Sequence, residues 1–312
     1  MSKSLVCFSL ALTLLFASNG KAAEKGFVSL FNGKDLSSWQ FRGQPAGLRV
    51  EEGCIYSGGA DGGDLLWTEK EYGNYILRLE WMLSGVGNSG VLIRCTPDSA
   101  WDSGFEVQLL APWTPWRDDL HCTGSIYGYV AVTNRPDETT GRWHQLEVVC
   151  DRKQIIIAVN GETCTWADMD RVESLRGKHL RGRIGLQGNH SDPQQWLKFR
   201  NLRLRDLDLD PDYVIRGFRD TDPRIQRDTH GAAVKLGDTI VPRLCSLIAE
   251  EDSLPSAGAR KALFEIAALA SAPDAPKALR DKVVQALKDQ AGSSGSETLR
   301  TYLGWLLGLL GA

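Results

Sequence analysis

Carboxylates, amides, imidazoles and one guanidinium recur at fixed places in strand-like stretches of this chain. Side chains on a strand alternate between its faces. Counting by twos sets Glu106 and Gln108 on one face and Phe105, Val107 and Leu109 on the other. The same count sets Arg94 against Val91 and Ile93, Glu80 against Leu79 and Trp81, and Gln187 with Asn189 against Ile184 and Leu186. If these strands share a sheet, their polar residues converge on one surface, with Asn88 and His190 at its rim. There a carboxylate could act as a base, and a guanidinium or a divalent metal could stabilise negative charge developing on oxygen. His121 and His190 could serve as acids or metal ligands. Such a site requires Glu106 and Arg94 to lie close together and Glu106 to stay clear of the apolar core. The competing reading is that any antiparallel sandwich presents polar outer faces to water.

Other chemistries fit less well. Gly87-Asn88-Ser89-Gly90-Val91 lacks the final glycine and the strand–helix context of a nucleophile elbow, and no HExxH occurs. Glu80 and Glu106 could be offered as a glycosidase pair, but their separation is not readable from sequence.

The elements that must position these residues fall into two parts. Nine of the ten tryptophans precede residue 210. Ile76–Leu83, Val91–Cys95, Phe105–Leu109 and His144–Cys150 alternate, and Gln154–Val159 is nearly all apolar and reads as more buried. Asn160-Gly161 is a hairpin signal, and Arg183–Asn189 and Trp196–Leu204 supply further strands. Short strands punctuated by Gly and Pro predict an all-β sandwich or barrel, with no βαβ alternation and no P-loop.

After Asp206 the period changes. Asp206, Asp208, Asp210 and Asp212 read as a solvated acidic linker over 208–220, because Pro211 and Gly217 stand where a calcium loop needs Gly and Glu. Asp222-Pro223 then opens a helix ending at Gly237, Asp238 caps the next, and further helices follow over about 256–270, 275–290 and from Ser296. Helix pairs at a period of roughly 40 residues read as a small HEAT-like domain over 221–312, a surface for a protein partner.

Met1–Ala22 reads as a signal peptide: a basic Lys3, a short apolar run Leu5–Phe16, and small residues before a cleavage point after Ala22. No other segment is long enough to span a membrane. Localisation is therefore read as periplasmic or secreted. Removing the leader takes the formal charge from −3 to −5, which argues against a nucleic-acid partner. Six cysteines remain (Cys54, Cys95, Cys122, Cys150, Cys164 and Cys245), as buried thiols or as one or two bridges, without zinc-type spacing.

Several strings between Gly26 and Leu207 carry a resemblance, and they occur in order. These are GFVSLFNGKDLSSWQ at Gly26–Gln40, Gly87-Asn88-Ser89-Gly90 with its downstream Arg94, GFEVQLL at Gly104–Leu110, Thr123–Tyr127 (TGSIY), Gly141-Arg142-Trp143, GRIGLQ at Gly182–Gln187, and Phe199-Arg200-Asn201. Together they resemble the 3-keto-disaccharide hydrolase family. The resemblance implies a concanavalin-A-like jelly roll over 24–207 with a concave sugar-binding face, and carbohydrate as the partner. Two positions depart from the family pattern. Ala111 follows the Glu-x-Gln strand where an Asp is usual, and Gly188-Asn189-His190-Ser191 replaces Asp-His-Gly.

The chemistry implied is cleavage of a 3-keto-glycoside. The ketone acidifies the C2 proton, a base removes it, the C1 substituent leaves, and water adds back. On this reading Glu106 is the base, Arg94 or a divalent metal the enolate stabiliser, and His190 an acid or ligand. Asn88, Gln108, Gln187, Asn189, His121 and Glu80 contact substrate, and Tyr127 or Trp143 stacks on a sugar ring, with Trp143 read rather as core. No cofactor is required with certainty. The alternative is a non-catalytic carbohydrate-binding jelly roll whose helical domain recruits a protein.

Overall fold

The computed structural model describes residues 24–42, 47–58, 65–96, 98–99, 103–190, 194–250 and 253–312. The leader Met1–Ala22 lies outside them. Thirteen strands follow the chain: β1 (Val28–Ser29), β2 (Trp39–Arg42), β3 (Leu48–Glu51), β4 (Cys54–Gly58), β5 (Leu65–Thr68), β6 (Tyr75–Leu83), β7 (Asn88–Cys95), β8 (Phe105–Leu110), β9 (His144–Asp151), β10 (Gln154–Val159), β11 (Glu162–Asp168), β12 (Arg183–Gln187) and β13 (Trp196–Asp206). One sheet has the order β11-β10-β9-β6-β13-β4-β3, with β1 beside β13, and the other the order β2-β5-β12-β7-β8. Every named pairing is antiparallel. Non-consecutive neighbours mean that the chain crosses repeatedly between sheets, the mark of a jelly-roll-like sandwich.

The alternation read from sequence explains the packing. Leu77, Leu79, Trp81 and Leu83 of β6 meet Val91, Ile93, Val107, Leu109, Ile184 and Leu186 in one core between the sheets. At the β10–β11 hairpin Asn160 (φ 52°) and Gly161 (φ 87°) both adopt the left-handed conformation, as a tight primed turn requires. The six cysteines from Cys54 onward are buried free thiols.

The connector after β13 differs from a solvated linker. Asp208 is buried: it accepts Asn74 Nδ2 at 2.8 Å and Arg181 Nη2 at 2.6 Å. Residues Pro211–Gly217 form a helix, α1, capped by Asp210 with proline in its first turn. The acidic residues are therefore caps and anchors, a local use that composition does not distinguish from solvation. Further helices are α2 (Pro223–Leu236, capped by Asp222), α3 (Val241–Ile248), α4 (Leu254–Ser271), α5 (Lys277–Ser293) and α6 (Glu297–Leu309, capped by Ser296). Their apolar faces form a second core, which takes in Ile76 and Leu207. Ile225 of α2 in turn joins the core of the sandwich. Tyr213 Oη donates to Asp151 at 2.5 Å across the same junction. Among the described residues no helix is long and apolar enough to cross a membrane.

Candidate functional site

The outer face of the five-stranded sheet is a grid of rungs. Antiparallel register sets Glu106 opposite Leu92, Leu92 opposite Gly185, Gly185 opposite Trp67 and Trp67 opposite Gln40. The next rung pairs Gln108 with Gly90 and Gln187 with Leu65, and continuing the β7–β12 register brings Gln187 beside Gly90. Beyond β8 the chain adds a short edge. Tyr127 N donates to Glu106 O at 2.9 Å and Gln108 N to Ser125 O at 3.1 Å, flanking the Val107–Ile126 bridge. With Ile126 in the core, Ser125 and Tyr127 point to the same face as Gln108 and Glu106.

Two glycines make room on this grid. The Trp67 ring lies over Gly185, and the Glu106 side chain lies over Gly90, onto the rung that carries Gln108 and Gln187. Leu65, Trp67, Leu92 and Cys95 form a separate apolar cluster on this face. Beside it, burial alone pushes the Glu106 carboxyl up to about 8. No hydrogen bond to that carboxyl is present among the described residues. A desolvated, unpaired carboxyl is a stronger base than one in water.

Neutral polar groups continue from it. Gln108 Nε2 donates to Asn88 Oδ1 at 3.0 Å, and Asn88 Nδ2 lies 2.8 Å from His190 Nε2. With the amide donating, Nε2 accepts, and the imidazole carries its proton on Nδ1. Burial lowers the His190 pKa, which keeps the ring neutral. Among the described residues, His190 Nδ1, Gln187 Oε1 and Ser125 Oγ are buried without a hydrogen-bond partner. Buried polar atoms are normally paired, so three orphans around one face mark it as built to receive polar groups.

The structure brings Glu106, Gln108, Gln187, Asn88, His190 and Tyr127 to this face and removes others from it. Arg94 is 0 % exposed, with Nη2 donating to Gly73 O at 3.1 Å and Nη1 against Met169 Sδ at 3.3 Å, inside the sandwich. The register between β7 and β12 shifts at this point and Arg94 takes φ 55°. That bulge reverses the alternation, so counting by twos fails after Ile93. Arg94 is therefore not the enolate partner of Glu106. Glu80 lies on the other sheet, accepting Arg200 Nε at 2.7 Å and Asn201 Nδ2 at 2.8 Å. It contacts no part of the grid, because β6 belongs to the opposite layer. Trp143 lies under the Arg200 guanidinium at 3.8 Å and is only half-buried, rather than core.

Both departures from the family pattern have structural uses. Asn189 is buried and ties three segments together. Its backbone N–H donates to Ser57 Oγ at 2.9 Å, Nδ2 to Gln195 O at 3.2 Å, and Oδ1 accepts Asn88 N at 3.4 Å. It holds Asn88 and His190 from behind and offers no free side-chain group. Ala111 is fully buried in the sandwich core, one step past Leu109 on the inner face.

Four contributors were not singled out in the sequence. Gly90 and Trp67 acquire their meaning only across strands. Ser125 lies within a recognised string but shows its orphaned hydroxyl only when paired with Gln108. Glu138 is buried, accepting Thr123 N at 2.8 Å and Arg117 Nε at 2.6 Å, and so fixes the loop that carries His121 and Tyr127. Within it, His121 Nδ1 lies 2.7 Å from Asp118 Oδ1, and its ring stands edge-on to Tyr127 at 4.9 Å. Among the described residues no group of three or more His, Cys, Asp or Glu is arranged to hold a metal ion.

A jelly-roll-like sandwich with an array of amides, an imidazole and one unpaired carboxyl on one sheet belongs to the class of carbohydrate-acting β-sandwiches. Residues 26–205 match the 3-keto-alpha-glucoside-1,2-lyase-like domain, and the chain belongs to that family. A curated relative, the 3-keto-disaccharide hydrolase of Bacteroides thetaiotaomicron, is 24% identical, over 59% of this chain and 79% of that protein. Two crystal structures from Parabacteroides distasonis, provisionally described as glycosyl hydrolases, share the fold. One has a TM-score of 0.51 at 23% identity, covering 58% of this chain and 98% of that one. The other has a TM-score of 0.50 at 24% identity, covering 58% and 94%.

Proposed function

We propose that this chain cleaves 3-keto-glycosides, with Glu106 as the base. The observation that carries this reading is the Glu106 carboxyl itself: half-buried, without a hydrogen-bond partner among the described residues, and folded over Gly90 beside neutral hydrogen-bonding groups. Ionised Glu106 takes the proton from C2, and the electron pair moves onto the C3 oxygen as an enolate. The enolate then expels the C1 substituent, which leaves with the proton that Glu106 took from C2. That departure re-forms the C3 ketone and leaves a C1=C2 double bond, across which water adds, hydroxyl to C1 and hydrogen to C2. With Arg94 inside the sandwich, the donors for the enolate oxygen are neutral: the spare amide hydrogens of Asn88 and Gln108 and the Nδ1–H of His190. Neutral donors suit a buried site, since an enolate there is stabilised by oriented dipoles.

The leader supports an exported protein, periplasmic or secreted. The capped helices after the sandwich support a HEAT-like part, and Phe264 stacked on Trp305 at 5.7 Å leaves an exposed aromatic patch on it for a protein partner.

The test is turnover of 3-keto-disaccharides by wild type and Glu106→Gln. Removing a general base costs typically about 10²–10⁴-fold. Deuterium from heavy water should enter at C2 with the wild type only. Full turnover by Glu106→Gln would remove it as the base. Glycan binding by the wild type without turnover would assign the chain to the binding-module class instead.

A further inference from the structure

The rung that carries Glu106 does not end at β8. Tyr127 extends it by one strand spacing, about 4.8 Å, and is 37% exposed. His121 stands edge-on to Tyr127, and Trp116 edge-on to His121 at 6.5 Å, so three rings run outward from the carboxylate in sequence. Trp116 is 47% exposed, whereas Trp39, Trp67 and Trp81 of the sandwich are buried. The shelf is held from below: Arg117, next to Trp116, pairs with the buried Glu138, which also accepts Thr123 N. Asp118 lies on the rim, bonded to His121 through Oδ1.

We infer that Trp116, His121 and Tyr127 form the subsite for the departing sugar, the ring attached at C1 of the 3-keto residue. The inference rests on the proposed role of Glu106, because the shelf starts on the rung of that carboxylate. A pyranose offers an apolar C–H face and an equatorial belt of hydroxyls. The aromatic rings match the first, and the Asp118 carboxylate with the His121 imidazole matches the second. A flat aryl group would use the rings and leave the rim acid unused.

The test uses the full chain and compares Trp116→Ala and Trp116→Phe with wild type, in binding and in turnover. Binding is titrated with an unoxidised glucose disaccharide and with methyl glucoside. Stacking on one aromatic residue is worth roughly a three- to tenfold change in affinity. Trp116→Ala should weaken the disaccharide by that factor and leave methyl glucoside unchanged, and Trp116→Phe should restore most of the loss. In turnover, KM for a 3-keto-disaccharide should rise, while kcat/KM for methyl 3-keto-glucoside holds. A wild type that binds the disaccharide but does not turn over the 3-keto-disaccharide would defeat the proposed reaction, while the binding contrast would still support a subsite for the second ring. Equal loss for both ligands, no loss for either, no disaccharide binding by wild type, or a loss confined to phenyl glucoside would overturn it.

Discussion

The Glu106 side chain occupies the space that a β-carbon on Gly90 would need: such a carbon would stand 2.6 Å from its Cγ and 2.7 Å from its Cδ. Gly90 lies on the interior strand β7 and Glu106 on its neighbour, the edge strand β8, so the contact is diagonal across one strand pair. The glycine of the Asn88-Ser89-Gly90 string thus has a defined use. It leaves a slot through which the carboxyl reaches the rung of Gln108 and Gln187.

Gly90→Ala should therefore displace the carboxyl without disturbing the backbone, since Gly90 is absent from the positive-φ positions. A displacement near 1 Å can cost about 10²-fold in rate. We expect kcat on a 3-keto-disaccharide to fall by that order while the melting temperature moves little. Combined with Glu106→Gln, Gly90→Ala should have no further effect, because the group it moves is already disabled.

The raised Glu106 pKa, about 8, gives two linked pH dependences. The base is the ionised form, so kcat/KM should climb as pH rises through about 8 and level off above it. Stability should run the other way. Between the ordinary carboxylate value of 4.5 and about 8 the folded state holds a proton that the unfolded chain has lost, so stability falls across that window. Urea midpoints measured from pH 4 to 9 should show the decline in wild type and its loss in Glu106→Gln. Parallel slopes in the two proteins would contradict the assignment.

Arg94 serves packing. Arg94→Ala should destabilise by about 2–5 kcal/mol, as for other large-to-small core changes, and orphan the Gly73 carbonyl. The folded fraction should retain kcat. A residue aimed at the enolate oxygen would instead cost about 10²–10³-fold in kcat. Denaturant unfolding and initial rates on the same samples separate the two.

Ala111→Asp should yield a less stable protein with no gain in rate or metal affinity. The new carboxyl would enter the sandwich core beside Leu109, and an uncompensated buried charge costs roughly 3–5 kcal/mol. A rate increase in the folded variant would show that this position communicates with the site.

Much of the architecture was legible because it is local. Alternation in Ile76–Leu83 and Phe105–Leu109 depends only on which residues face the core, and both strands stand where the period places them. The cap at Asp222 with Pro223, and the stop at Gly237, are decided within a few residues of chain. The helix Pro211–Gly217 escaped because its Asp-Pro start lies inside an acidic run that composition reads as solvated.

The site divides along the same line. Glu106 and Gln108 share a face because their strand is regular, and the sequence alone determined that much. Arg94 stands six residues after Asn88 on a strand read as regular, yet a single bulge sends its guanidinium into the interior. Glu80 alternates as expected but on the opposite sheet. The slot at Gly90, the roof of Trp67 over Gly185 and the orphaned hydroxyl of Ser125 depend on register between strands far apart in sequence. That register is fixed by the packing of two whole sheets, so tertiary structure decided which polar residues meet.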